Sequence, residues 1–544
     1  MALILHFSTI PGHTTSFPPR ILTAPRYRTS RRISCTLTTQ SSDLTVDRRT
    51  ANYAPTVANN DFIQSLSSNF EGEKYRSRVE ELTDYTKRLL ESEKDQVTLL
   101  QLVDTLERLG LGYLFRDKIN GVLRAILSSY NGGTKTDLDL YSTALLVRLS
   151  RQNGIMVEED VFSRFMDEKG NFKANLRGPI LDEARAFSTK NLKDNLKGSL
   201  QEELKNKVVH ALESPFHWSV TSFEARWFIE AYGKSEDMNP KLLELDKLAY
   251  NMRQAQYQIE LKAASRWWTN TTIPHKLSFS RDRLAECFLG GLAMTHLPEY
   301  GYTRFILTQV NQLTTTIDDT YDLYGSIEEL ERFTDVIERW DINAIDKLLP
   351  YMKMICFALF NSANELAYTS LKEQGWNIVP LGRSMQSIPE RGKWYNEGYI
   401  PTLDEYIENA VTSIPGSVIL GNAYFSLKSN ITDKTLRSLV NLPEEEMSRG
   451  DVVKSIKCSM RDNGSTEDIA RQHIRNLISD AWKKINKDLI LESPFPRDLV
   501  DAALALGRMS HAYYYRGDNG FGGSRKETFD FFNKLLVQPI PLDH

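Results

Sequence analysis

"TTTIDDTYDLYG", Thr314–Gly325, places Asp318, Asp319 and Asp322 within five residues of one another, between apolar flanks. Apolar residues at Ile306, Val310, Leu313, Ile317, Tyr321 and Tyr324 follow one another at steps of three and four. That period predicts a single apolar helical face. On such a helix Asp318 and Asp322 sit one turn apart on a shared face, with Asp319 beside them. Like charges at this spacing weaken a helix by a few tenths of a kcal/mol. A solvated helix end tolerates that cost, but a helix otherwise apolar enough to be buried needs a cation there. Oxygen-only ligands suit Mg²⁺ or Mn²⁺, and Mg²⁺ held by one or two carboxylates usually shares its other positions with phosphate and water. The stretch points to a helix that holds a metal bridge to a diphosphate.

The surrounding chain is read the same way. Strand signals are scarce, and segments such as Leu99 to Arg108 and Leu140 to Arg151 alternate charged and apolar residues at helical spacing. An all-α fold is expected. At 544 residues the chain is too long for one ordinary core, so two domains are expected. The boundary falls near Pro240, after "EARWFIEAYGKSEDMNP", giving helical domains over 43–240 and 241–544. No run of eighteen or more apolar residues occurs, so no membrane-spanning helix is expected.

Residues 1–42 are different. They hold no Asp or Glu, five Arg (20, 26, 28, 31 and 32) and fourteen Ser or Thr. This composition reads as an organelle transit peptide, and its Ser/Thr richness favours the plastid stroma. Removing it takes the formal charge from −4 to −9, which argues against nucleic acid as a partner. The cysteines, Cys35, Cys287, Cys356 and Cys458, are scattered without a CxxC, and the nine histidines form no HExxH. Neither a zinc site nor a disulfide framework is indicated.

Upstream of the acids, "SFSRDRLAE" carries Arg281 and Arg283, the latter 35 residues before Asp318. A guanidinium suits phosphate because its fork of donors is planar and permanently charged. Two helices joined by a short turn would bring Arg and Asp to one cavity mouth. Together with "DRRTANYAP", "FEARWFI" at 223–229, "SRWW" at 265–268, "ERWDINAI", "KWYNEGYIPTLDEY" and "RGDVVKSIKC", these motifs follow the order of the plant class I terpene synthases. The chain resembles that family over essentially its whole mature length, and the tandem Arg with a transit peptide resembles its monoterpene branch. The resemblance implies two all-helical domains, with the active site in the C-terminal bundle. The N-terminal domain would be non-catalytic, its first stretch capping the pocket with Arg48 and Arg49 in the lid. No DxDD occurs in the N-terminal half, as expected for that role.

The implied reaction is metal-dependent ionisation of geranyl diphosphate. Mg²⁺ or Mn²⁺ would be held by Asp318 and Asp322, with Asp319 secondary and Glu446 in a second metal site. Arg281 and Lys454 would bind the diphosphate together with Asp318 and Asp322. Arg281, Arg283, Tyr514 and Asp518 would act at the cavity mouth. A chain-elongating prenyltransferase would need a second DDxxD, and there is none.

The chain departs from the family pattern in several places. Glu446 fits the end of the second metal motif, (N/D)DxxSxxxE, but the other positions fall at Ser438, Leu439 and Leu442, and Pro443 interrupts the helix. A helical segment between "TLRSL" and "EEEM" is missing, and "FKANLRGPILDEARAF" is also short. "VPLGRSMQSIPERGKWY" replaces a family helix, and a shifted reading frame over Arg383–Lys393 would account for it. Sequencing the full-length transcript tests that hypothesis, since an in-frame helix there would expose a flawed gene model. Gly290 stands where the family has a cavity Trp, so volume is expected to open there. Ala58 replaces the Trp that seats the lid, "IPGS" at 414–417 replaces a family "ISGP", and Arg516 replaces a His. The other reading is therefore a catalytically impaired paralogue.

Overall fold

The computed structural model describes residues 48, 53–131, 138–157, 159–165, 180–198, 201–213, 215–375, 402–405, 407, 416–427, 452–489, 493–514 and 525–542. Residues 1–49 form one unit and 50–544 another. Among the described residues there are helices and no strands.

Among the described residues eight α-helices precede Pro240: α1 (Asn60–Ser65), α2 (Glu73–Ser92), α3 (Gln96–Arg108), α4 (Arg116–Asn131), α5 (Leu140–Gln152), α6 (Ile180–Asn195), α7 (Glu202–Glu213) and α8 (Thr221–Tyr232). The periodic stretches at 99–108 and 140–151 fall inside α3 and α5. Asp95 and Asp139 cap these helices through carboxylates that accept the N–H of Thr98 and Ser142. Next come α9 (Pro240–Asn270), α10 (Ile273–Lys276), α11 (Leu284–Met294), α12 (Gly301–Asp319), α13 (Ile327–Arg339) and α14 (Pro350–Gln374). The described helices then continue with α15 (Gly416–Ser426), α16 (Val452–Asn463), α17 (Glu467–Asp488), α18 (Arg497–Tyr514) and α19 (Arg525–Phe532).

The long α9 starts abruptly because Asn239 caps the N–H groups of Lys241 and Leu242 while Pro240 occupies the first turn. The largest apolar cluster joins both sides of that start, with Leu100, Leu106 and Phe115 packed in one cluster with Leu245, Phe288 and Phe532. Helix α11, apolar apart from Glu286, packs chiefly on α12 and also on α9 and α18. Helix α12 lies against α9, α14 and α15, and so sits centrally in the bundle.

The acid-bearing stretch differs from one uniform helix. α12 ends at Asp319, and Thr320–Tyr324 form a wider π turn closed by the Gly325 N–H on the Thr320 carbonyl at 2.8 Å. Gly325 lets the chain leave closely: a Cβ there would stand 2.6 Å from Leu330 Cδ2 and 3.1 Å from the Thr320 oxygen. Ser326 and Glu329 then start α13 with a reciprocal capping box. Ile306, Leu313, Ile317 and Tyr321 are buried on the expected face.

Candidate active site

The loop at 277–283 is fastened to the C-terminal half of α12 at four points. The Arg281 N–H donates to Asp319 Oδ2 at 2.6 Å. Gln312 serves both chain directions, accepting the Arg283 N–H at 2.9 Å and donating to the Arg281 carbonyl at 3.0 Å. The Ser280 hydroxyl donates to Thr316 Oγ1 at 3.0 Å. Phe279 stacks on Tyr324, centroids 3.8 Å apart, and Tyr351 meets Tyr324 edge-on. Arg281 and Asp319 thus meet at one rim, where the loop reaches the end of α12, through an oriented joint that the spacing did not reveal.

The two arginines are used differently. Arg281 Nε lies 2.7 Å from Asp319 Oδ1, near enough for an ion pair although the N–H is not aligned as a hydrogen bond. Its guanidinium is 19% exposed and makes no Nη hydrogen bond to a described residue. Arg283 is 3% exposed. Its guanidinium donates to the Ala54 carbonyl at 2.7 Å and to the Asp282 carbonyl at 2.9 Å. Arg283 therefore grips the irregular segment 53–59, while Arg281 keeps donor capacity at the rim.

The three acids also separate. Asp319 is fully buried. Burial pushes its carboxyl above the usual range; the Arg281 charge and its backbone N–H hydrogen bond pull it back, and the neighbouring Asp322 charge raises it again. Asp318 is half-buried, and Asp322 is exposed with no ion pair to a described residue. Among the described residues no group of three or more His, Cys, Asp or Glu converges as a metal cage. The donor set at the rim is carboxylate oxygen alone, with Asp322 open to solvent, which fits a hard divalent cation that completes its shell with ligand oxygen and water.

Segment 53–59 closes over this rim. The Thr56 hydroxyl donates to Glu286 Oε2 at 2.8 Å, and the Val57 N–H donates to Glu286 Oε1 at 3.1 Å. The Tyr53 ring lies over the Arg281 guanidinium at 4.6 Å. Tyr53, Glu286 and Gln312 were not singled out from the sequence. The available signal was Glu286, a lone acid on an otherwise apolar helix.

Two expected weaknesses take another form. No volume opens beside Gly290, because the Met509 thioether occupies it: a Cβ at Gly290 would lie 3.2 Å from Met509 Sδ. Ala58 is buried in the main core, and the segment before it is seated by hydrogen bonds rather than by an indole. Tyr514 ends α18 and Lys454 lies in α16, but their side chains are outside the described residues. Glu446, Asp518, Arg516, Arg49, Ser438, Leu439 and Leu442 lie outside them entirely, as do 383–393. Arg48 is the described residue of the 1–49 unit.

Two family profiles match the chain. "Terpene synthase, N-terminal domain" covers residues 55–179, and "Terpene synthase family, metal binding domain" covers 269–444 and 441–484. The chain belongs to the terpene synthase family. The metal-binding match contains the joint between Arg281 and Asp319, so the rim lies in the part of a terpene synthase that binds metal. That match comes in two pieces meeting at 441–444, where the sequence reads as shortened. A (-)-alpha-terpineol synthase of Vitis vinifera is 43% identical over 538 positions, covering 91% of this chain and 91% of its own. Those positions exceed what 91% of 544 residues supplies, so the relative carries residues without a counterpart here. A chloroplastic alpha-thujene synthase of Litsea cubeba is 41% identical, covering 96% of this chain and 97% of its own. Among solved structures, limonene synthase with 2-fluorolinalyl diphosphate superposes with a TM-score of 0.84 at 34% identity, covering 91% of this chain and 100% of that one.

Proposed function

We propose that this terpene synthase is a plastidial monoterpene synthase that converts geranyl diphosphate to a monoterpene and diphosphate. The observation that carries the reading is the rim itself: Arg281 is fixed against Asp319, and Asp322 stands open beside it. The names of its relatives, a terpineol synthase and a chloroplastic thujene synthase, support both the substrate class and the plastid, and the acid-free N-terminus supports import to the stroma. Nothing in the comparisons favours a catalytically silent descendant.

Asp318 and Asp322 would hold a divalent cation, Mg²⁺ or Mn²⁺, with Glu446 as a further ligand. When bound, that cation neutralises the charge that develops on the diphosphate. Arg281 offers its Nη donors to the same oxygens, and Lys454 adds a second positive charge. The C1–O bond of geranyl diphosphate breaks heterolytically, the electron pair leaves with diphosphate, and the allylic cation later loses a proton to give the hydrocarbon. Positive charge aimed at the leaving group is electrostatic catalysis without a nucleophile. Arg283 serves by holding segment 53–59 closed, which keeps water from the cation. Tyr514 and Asp518 are assigned to the same mouth. With Gly290 and Ala58 in place of two indoles, acyclic or simple products are expected to dominate.

Purified protein incubated with geranyl diphosphate and Mg²⁺, followed by gas chromatography of the headspace, is expected to yield a monoterpene. Asp318→Asn or Asp322→Asn is expected to lower kcat/KM on the order of 100-fold. Folded protein that yields no terpene would overturn the reading, and a dominant bicyclic product would overturn the product expectation.

A further inference from the structure

Helix α11 reads Leu-Ala-Glu-Cys-Phe-Leu-Gly-Gly-Leu-Ala-Met, so Glu286 is its one charged side chain, and it is 5% exposed. A buried carboxylate is costly unless its oxygens are hydrogen-bonded. Here both are used by the same strip of chain, the Thr56 hydroxyl on Oε2 and the Val57 N–H on Oε1. One helical turn earlier, Arg283 holds the Ala54 carbonyl at 2.7 Å. Three contacts, two from Glu286 and one from Arg283, therefore fix the register of residues 54–57 on the start of α11. With that register fixed, Tyr53 falls over Arg281 at 4.6 Å, on the guanidinium that faces Asp319. Tyr53 is 39% exposed, so the contact lies at the rim rather than in the core.

We propose that Glu286 is the latch of segment 53–58, and that the latched Tyr53 ring is a positioning residue that holds the Arg281 guanidinium at the rim beside Asp319. Closing the segment and seating the diphosphate are then one event. This role of the latch rests on the function proposed above, whereas the latch itself does not. An aromatic face attracts a cation and restricts where the guanidinium can go. The lone acid on α11 makes the closed register specific, because a segment slipped by one residue would leave Glu286 buried without its donors.

Two measurements on the full chain test this. Hydrogen exchange reads the Val57 amide, which donates to Glu286. Glu286→Ala is expected to speed that exchange about 10-fold or more at unchanged global stability. Glu286→Gln is expected to stay within about threefold of the parent, since its amide oxygen still accepts from Val57 and its nitrogen can donate to Thr56. Unchanged exchange in folded Glu286→Ala overturns the latch. Should that variant fail to fold, Thr56→Val removes the hydroxyl contact alone; about threefold faster exchange supports the latch, and unchanged exchange overturns it. Calorimetric titration with inorganic diphosphate and Mg²⁺ reads the second role. Tyr53→Ala is expected to weaken binding about fivefold, the scale of one cation–π contact, and Tyr53→Phe, which keeps the ring, to restore it to within about twofold. Equal affinity in Tyr53→Ala and the parent overturns the positioning role. Absence of turnover on geranyl diphosphate alongside intact diphosphate binding would defeat the proposed reaction while leaving both roles standing.

Discussion

At the residue scale, the chain hides charge in its core as well as at its rim. Asp246, on α9, is completely buried, and neither carboxyl oxygen makes a hydrogen bond to a described residue. Burial holds its acid well above the usual range, and the Arg253 charge only partly offsets that. The folded-state pKa is therefore raised above the unfolded value of about 3.9. A group shifted in this direction gives its full stabilising contribution below the unfolded pKa and loses it as pH rises towards the folded one. Asp246→Asn removes that linkage while keeping the shape. The urea midpoint of the variant relative to the parent is expected to rise as pH is raised above about 4, and a constant difference would contradict the buried-acid account. None of this was legible in the sequence, where Asp246 is one acid among many in "LLELDKLAY". Asp318, Asp319 and Asp322 were legible because clustering itself is a signal. Their division of labour was not, because Asp319 is set apart by a partner 38 positions away.

At the element scale, Arg304 shows how three helices are tied together. Among the described residues it is the largest fully buried side chain; it lies on α12 and pairs in a fork with Glu260 of α9 at 2.7 and 2.8 Å. It also donates to the carbonyls of Thr295, just past α11, and Leu297, the latter at 2.6 Å. Removing one partner of such a pair strands the other charge in low dielectric. Glu260→Ala is expected to cost about 3–5 kcal/mol in chemical unfolding, and replacing both partners with Leu and Met to cost markedly less. A loss below about 1 kcal/mol in the single variant would show that the pair is dispensable. Helices such as α3 and α5 were readable because their periodicity is a local property of the chain. The π turn after Asp319 was not, because it depends on Leu330 and the Thr320 carbonyl closing around Gly325.

At the scale of the whole molecule, residues 1–49 form one unit and 50–544 another, and the family matches begin at 55. A chain lacking residues 1–42 is expected to melt within about 1–2 °C of the full chain, since a transit peptide is removed from the mature protein and adds nothing to its core. The full chain alone is expected to be imported and shortened by isolated plastids. A truncated form that melts many degrees lower would refute the transit assignment. By itself the sequence determined the helical class, the terpene synthase ancestry and the acid–arginine pairing, because periodicity, motif order and clustered charge are written along the chain. The tertiary structure alone decided that Arg283 is buried against segment 53–59 while Arg281 stays part-exposed, that Asp319 is the buried aspartate, and that Met509 fills the space beside Gly290. It also placed Tyr53 over Arg281, with Glu286, more than two hundred residues away, accepting hydrogen bonds from the neighbouring Thr56 and Val57. The reason is physical: burial and the hydrogen-bond partners it demands belong to neighbours in space, and spacing along one chain does not encode which distant donors will meet a buried carboxylate.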